Sequence, residues 1–267
     1  MQEMAFIVAG FGVGLIVGLT GVGGGSLMTP VLIFFFGVKP HLAIGTDLLF
    51  AAFTKLGGTV SLARQRLVPW RVVGQLCAGS LPAAGLSLWA LHHIGPASAA
   101  AQRIMTTTLG VALLLTAAAT LYKVAVFSRE RQAAEAAARQ ASGPAATRPR
   151  HWSLPILLGA VIGALVTFTS VGAGAIGVTV LLLVYPLLPL PRVVGADIAY
   201  AVPLTLVAGL GHASLGSVDW PLLAQLLAGS LPGIWLGSRL VSRTPERLIR
   251  SLLSVLLAWA GLKLVLI

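Results

Sequence analysis

Apolar stretches without charged residues fill most of this chain and constrain its fold more than any other feature. A helix crosses a bilayer with about 20 such residues. Ten segments can be drawn, with approximate limits 4–19, 27–37, 42–62, 72–91, 104–122, 154–168, 176–188, 193–211, 221–240 and 248–267. Membrane-spanning strands alternate apolar and polar residues, whereas segment 104–122 does not alternate from Met105 onward. The sequence therefore predicts an all-α polytopic membrane protein.

The composition also favours a membrane. Hydrophobic residues make up 57% of the chain and charged residues 9%, whereas soluble domains carry about a quarter charged residues. A net charge of +11 would suggest nucleic acid in a soluble protein. Here the basic residues lie mostly between apolar segments, as in the cytoplasmic loops of membrane proteins. No nucleic-acid partner is expected, and the single cysteine, Cys77, is interpreted as a core residue.

The two halves of the chain repeat each other. The pentapeptide AGSLP at 78–82 returns at 228–232, and the glycine-rich segment 20–25 matches 169–174 with one residue of slippage. At the spacing of the pentapeptide, the matched single residues are Gly45 and Gly195, Asp47 and Asp197, Trp70 and Trp220, and Gln75 and Gln225. Several matches in nearly one register indicate an internal repeat.

Charge distribution predicts that the repeats have opposite orientations. If every segment crosses, 14 of the 18 basic residues fall on one side, which the positive-inside rule makes cytoplasmic. The loop 213–220 carries no Lys or Arg, yet it is the repeat partner of the basic loop 63–70. We therefore expect a first transmembrane repeat at 1–123, a basic cytoplasmic linker at 124–151 and an inverted repeat at 152–267. Both termini would be periplasmic.

Each repeat contains a glycine-rich break followed by a short apolar segment. Interrupted helices in inverted repeats are typical of secondary transporters and contribute the binding site, and free amides at a helix start favour an anion. The predicted substrate-binding residues at the two breaks are Thr20, Gly23, Gly24, Gly25, Ser26, Thr169, Ser170, Gly172 and Gly174. The alternative is that the glycines only allow close helix packing.

Three charged residues lie inside apolar segments. Asp47 and Asp197 stand about two turns into theirs, and Lys55 lies about two turns deeper than Asp47. Thr205 occupies the position equivalent to Lys55. Ionisable residues at such depth are costly and are generally functional or paired. Lys55 is predicted to bind a substrate anion, and the aspartates to pair with it or carry a coupling proton. The alternatives are helix capping for the aspartates, and snorkelling or a structural ion pair for Lys55.

Other kinds of site are not predicted. No spacing of His, Cys and acidic residues resembles a metal site, and no GxxxxGK[ST] phosphate loop is present. We therefore expect no metal, no cofactor and no enzymatic activity. His212, at the end of its segment, is interpreted as an ordinary interfacial histidine. An anion channel, an intramembrane enzyme and a non-transporting partner subunit remain the alternatives to a transporter.

The stretches GLTGVGGGSLMTPVL and KPHLAIGTDLL, with the paired AGSLP segments, resemble the TauE/SafE family of sulfite exporters and membrane transporters. The resemblance covers nearly the whole chain apart from the linker. It implies a bacterial inner-membrane location and transport of sulfur-containing anions such as sulfite or organosulfonates. Asp47 departs from the family pattern, in which a neutral residue often follows the Gly-Thr pair.

Together these features predict a secondary transporter for a small anion. The resemblance implies sulfite or an organosulfonate as cargo, and proton coupling is one option. The alternatives are an anion channel and transport of another carboxylate or oxyanion. The expected partners are a small anionic substrate and the lipid bilayer. A homo-oligomer is one of the states that the sequence allows.

Overall fold

Ten helices form the part of the chain that the computed structural model describes, namely residues 2–20, 25–140, 153–171, 174–185, 188–240 and 246–266. No strand occurs among these residues, which confirms the predicted fold class. The helices are α1 (Gln2–Thr20), α2 (Gly25–Phe36), α3 (Pro40–Arg64), α4 (Trp70–Ile94), α5 (Ala99–Gln140), α6 (Leu154–Thr169), α7 (Ala175–Val184), α8 (Leu190–Ser214), α9 (Trp220–Leu240) and α10 (Glu246–Leu266).

Each helix corresponds to one predicted apolar segment. By length and composition, α4, the Ala99–Leu121 part of α5 and α8 can each cross a bilayer. The helix α5 continues to Gln140, as the alanine-rich first part of the predicted linker allows. The remainder of that linker, including Gly143 and Pro144, lies outside the described residues.

Helices of one half pack against helices of the other. The helix α1 runs along α9, α6 runs along α4, α5 packs against α10, and α3 crosses α8. In this scheme the contact between α1 and α9 has its counterpart in the contact between α6 and α4. Each of the other two contacts joins a helix to its own repeat partner. These four helix pairs therefore map onto one another when the two halves are exchanged.

Close backbone contacts show the same equivalence at single residues. Gly79 on α4 lies against the carbonyl oxygen of Ile156, and Gly229 on α9 lies against that of Ile7. The glycines are offset by about 150 residues, and so are the isoleucines. A Cβ atom at either glycine would overlap the carbonyl oxygen. Small residues let membrane helices approach this closely, so these two glycines set the spacing of their helix pairs.

The crossing of α3 and α8 brings the two halves together at the centre. Gly209 lies against Leu49, and Gly58 lies against Ile198, whose carbonyl oxygen also accepts the hydroxyl of Thr59. Early residues of α3 therefore meet late residues of α8, so the two helices run antiparallel. Buried apolar clusters border this crossing on both sides. Polar groups inside it are consequently shielded from solvent.

Candidate functional site

The three charged residues singled out in the sequence are all buried at or beside the crossing. Asp47 is 0% exposed, Asp197 is 2% exposed and Lys55 is 7% exposed. Lys55 interacts electrostatically with both carboxylates, and more strongly with Asp197. The two carboxylates come from different halves of the chain. A buried ion is tolerated when opposite charges and hydrogen bonds compensate its lost hydration, and here the lysine is compensated by both halves at once.

The carboxylate of Asp47 connects three separate parts of the chain. Its Oδ2 accepts hydrogen bonds from the hydroxyl of Thr29 on α2 and from that of Ser170, just after α6, the latter at 3.0 Å. Its Oδ1 has no hydrogen-bond partner among the described residues. Because both hydroxyls come from other elements, Asp47 does not cap its own helix. It draws α2 and the break after α6 towards α3.

The break after α6 begins with a residue in the left-handed conformation. Ser170 adopts a left-handed conformation with φ of 59°, which directs its hydroxyl to Asp47. The Thr169 hydroxyl bonds instead to the carbonyl oxygen of Leu165 at 2.6 Å and accepts the Val171 amide at 3.1 Å. Of the two hydroxyls predicted here, Ser170 therefore reaches the charged site and Thr169 supports the break.

The start of α7 forms the other side of the site. Gly174 precedes this helix with φ of 144°, a value that an L side chain rarely adopts. Gly177, in the first turn of α7, lies against Oδ1 of Asp197, and the Tyr200 hydroxyl is directed to the same place. The second half therefore presents a carboxylate and a phenol to the beginning of a short helix.

Some predicted site residues lie outside the part of the chain that the structure describes. Gly23, Gly24 and Gly172 lie outside the described residues, as do the side chains of Thr20 and Ser26, whereas Gly25 is the first residue of α2. Their predicted part in substrate binding stays a prediction. Within the described part of the chain, no group of three or more His, Cys, Asp or Glu residues could hold a metal ion.

Two site residues were not predicted, Thr29 and Tyr200. Each had a signal in the sequence that comparison of the halves could have revealed. Thr29 has a threonine, Thr179, at the equivalent position, and Tyr200 has Phe50, so the hydroxyl is specific to the second half. Both residues lie in segments that are predominantly apolar, so the sequence pattern did not single them out as site residues.

His212 differs from its interpretation as an ordinary interfacial histidine. It is fully buried, and its Nε2 lies 3.0 Å from the carbonyl oxygen of Thr167 on α6. Since a carbonyl can only accept, Nε2 donates in this bond. The late residues of α8 are covered here by α6 and by the loop at Ser217, whose amide bonds to the His212 carbonyl oxygen at 2.9 Å. His212 thus joins α8 to the last turn of α6.

Comparison with known proteins places this helical arrangement in a family. The model of the family described as sulfite exporter TauE/SafE matches residues 6–264, almost the entire chain. The chain belongs to the TauE/SafE family. This confirms the resemblance seen in the glycine-rich and AGSLP segments. Membership places the protein among membrane transporters and not among enzymes.

Curated relatives agree with the TauE/SafE assignment. The chain is 34% identical to the probable membrane transporter protein YjnA of Bacillus subtilis, over 99% of this chain and 100% of the relative. It is 27% identical to the probable membrane transporter protein YdhB of the same organism, over 98% and 99%. A probable membrane transporter protein of Xylella fastidiosa is 27% identical over 86% and 82%. No solved structure gives a significant match. A membrane transporter is thereby confirmed.

Proposed function

We propose that this protein is a secondary transporter that carries sulfite or an organosulfonate across the cytoplasmic membrane, with Lys55 as the cation that binds the anion. The observation that carries the proposal is the buried lysine where α3 crosses α8, between a carboxylate from each half. Ionisable groups at such depth in membrane proteins mark substrate and ion pathways. The family description supports a sulfur oxyanion as cargo.

Hydrogen-bond donors beside the two carboxylates suit an oxyanion. The Ser170 hydroxyl is already directed into the site, and the start of α7 supplies backbone amides that have no partner within the helix. A charged donor combined with neutral donors binds a compact anion more strongly than a lysine alone. The Ser170 hydroxyl and the start of α7 belong to the glycine-rich break of the second repeat, and a transporter built from inverted repeats binds its substrate at such breaks.

The correspondence between the two halves supports alternating access. The four main helix pairs map onto one another when the halves are exchanged, and α3 and α8, which are repeat partners, cross each other. We propose that the repeats at 1–123 and 152–267 are inverted and rock about this crossing, with the linker in the cytoplasm and both termini in the periplasm. The positive-inside distribution of Lys and Arg supports this orientation.

Charge balance supports coupling to protons. The site contains two carboxylates and one ammonium, so an entering anion adds negative charge to a buried region. An uncompensated charge there is unfavourable by several kcal/mol. A proton on Asp47 would offset the anion. Oδ2 of this carboxyl accepts two hydroxyls, and Oδ1, which has no hydrogen-bond partner among the described residues, is the atom that would carry the proton. Asp47 is therefore assigned the coupling proton.

Sulfite flux into proteoliposomes, with and without a pH gradient, tests this function. We expect saturable flux in the wild type and, with a gradient of one pH unit, accumulation of sulfite to a level about tenfold higher, since coupling one proton to each anion adds about 1.4 kcal/mol of driving force per pH unit. Asp47→Asn should transport at the same rate with and without the gradient. Asp219→Asn is the matched control, because Asp219 caps α9 through the Leu222 amide at 3.0 Å and asparagine also caps helices.

The contrary results are equally specific. Flux that rises linearly with sulfite and ignores the gradient would indicate an anion channel. A gradient response that persists in Asp47→Asn would remove the coupling role of Asp47 and leave anion transport itself in place.

A further inference from the structure

The carboxylate of Asp197 occupies a position that favours anions in general. Its Oδ1 lies so close to Gly177 that no side chain could stand there. Gly177 is the third residue of α7, which runs from Ala175 to Val184. The amides of a first helical turn lack partners within the helix, and the helix dipole is positive at that end. Asp197 therefore lies beside the first turn of α7, at the end of the helix that favours an anion.

The hydroxyl of Tyr200 points to the same place. Tyr200 is 0% exposed, and its Oη has no hydrogen-bond partner among the described residues. This oxygen would lie 3.3 Å from a Cβ atom at Gly177. A buried hydroxyl without a partner destabilises a protein by about 1–3 kcal/mol. Tyr200 thus holds an unused donor beside the start of α7, which indicates a ligand that accepts hydrogen bonds.

Lys55 supplies the opposite charge. Among the carboxylates, Asp197 interacts with it most strongly. The two halves differ at this point, since Thr205, the residue equivalent to Lys55, donates its hydroxyl to the Ala201 carbonyl oxygen of its own helix at 2.8 Å. A lysine from α3, the start of α7 and a phenol from α8 therefore lie around one carboxylate.

We propose that Lys55, the first turn of α7 and Tyr200 form the anion-binding site, and that Asp197 is its resident anion, a tethered carboxylate that the transported oxyanion displaces. This inference rests on the anion transport proposed above and adds to it how the site stays occupied between cycles. A carboxylate and a sulfur oxyanion both present negatively charged acceptor oxygens, so they compete for the same donors. The return of Asp197 after release keeps Lys55 compensated in the apolar interior.

Sulfite binding to the purified protein in detergent, followed by calorimetry, tests the competition. Removing the competing charge in Asp197→Asn should tighten sulfite binding roughly tenfold, which corresponds to about 1.4 kcal/mol. Asp47→Asn should tighten it less, because the hydroxyls of Thr29 and Ser170 already compensate the charge of Asp47. Tyr200→Phe installs the residue that the first half has at Phe50. It should weaken binding about tenfold through loss of a donor to an anion.

Formate provides a test that does not depend on the cargo. In Asp197→Ala, formate should fill the vacated position and raise the thermal unfolding temperature in a saturable way, as a ligand of the native state does. The wild type should not respond, because its own carboxylate is in place. Asp219→Ala is the control for a general effect of formate on a protein that lacks one aspartate.

Each outcome separates this inference from the proposed function. Formate stabilisation of Asp197→Ala without sulfite binding to the wild type would retain the resident anion and discard sulfite as cargo. Sulfite transport by the wild type would retain the function. Two results together would refute the proposal that Asp197 is a resident anion: formate does not stabilise Asp197→Ala, and Asp197→Asn binds sulfite no more tightly than the wild type. If Asp197→Ala is recovered folded only in formate, that dependence supports the inference.

Discussion

Replacing Lys55 with alanine should lower sulfite flux about 100-fold or more, because truncating one partner of a buried charge pair costs roughly 2–5 kcal/mol. The lysine is buried between two carboxylates, and no other Lys or Arg is buried among the described residues. Its removal leaves Asp47 and Asp197 to repel an incoming anion. Initial rates in proteoliposomes at equal protein content measure this effect.

Thr205→Ala is the matched control for Lys55→Ala. Thr205 stands at the equivalent position on α8 and donates its hydroxyl to its own helix. We expect it to retain flux within about threefold of the wild type, since it removes one ordinary hydrogen bond. If Lys55→Ala lost folded protein and flux in equal proportion, Lys55 would have a structural role, and its assignment to the binding site would be wrong.

A second large effect is expected at Gly79, on stability. Gly79→Ala should destabilise the protein by about 3 kcal/mol, the upper end of typical over-packing in a core. The added methyl would meet the carbonyl oxygen of Ile156, and a backbone atom cannot move aside as a flexible side chain can. The contact between α4 and α6 must then widen. Thermal unfolding in detergent would show this as a lower transition temperature.

Gly85→Ala is the control on the same helix. A Cβ atom at Gly85 meets nothing within 4 Å, and alanine stabilises helices by about 1 kcal/mol relative to glycine. This variant should therefore be as stable as the wild type or slightly more stable. Gly229→Ala should lose as much stability as Gly79→Ala, because it makes the equivalent contact with Ile7. Unequal losses at Gly79 and Gly229 would contradict the equivalence of the two halves.

The helices were predictable because a bilayer admits few backbone arrangements. Without water to satisfy them, backbone amides and carbonyls must bond within a helix or a closed barrel. An apolar segment in this chain therefore had one local outcome, and every predicted segment is a helix. Two of the helix starts coincide with proline, which is favoured in a first turn, since Pro40 opens α3 and Pro191 lies in the first turn of α8.

Charged residues of the site were predictable for the opposite reason. A carboxylate or an ammonium in an apolar segment is unfavourable, so Asp47, Lys55 and Asp197 stood out individually. Their neutral partners did not. The contact between Ser170 and Asp47 joins residues 123 positions apart, and Thr29 and Tyr200 acquire their importance only where α2, α3, α7 and α8 meet. No local pattern encodes such a meeting point.

The position of Asp197 beside the start of α7 was also not predicted from the sequence. Glycine-rich breaks predicted an anion site at Gly174, but they could not show that Asp197 would lie beside Gly177 in the first turn. The signs of the charges predict a carboxylate near Lys55, but they do not show which aspartate it is. The antiparallel crossing of α3 and α8 brings late α3, with Lys55, to early α8, with Asp197.

The most direct test is to locate the bound anion. Selenite is the selenium analogue of sulfite, and its anomalous scattering marks its position in crystals of the protein. We expect a single strong peak within hydrogen-bond distance of the Lys55 ammonium, beside the start of α7 and the Tyr200 hydroxyl, with Asp197 moved away from Gly177. Peaks confined to the basic loops, with Asp197 still against Gly177 at saturating selenite, would contradict a central anion site.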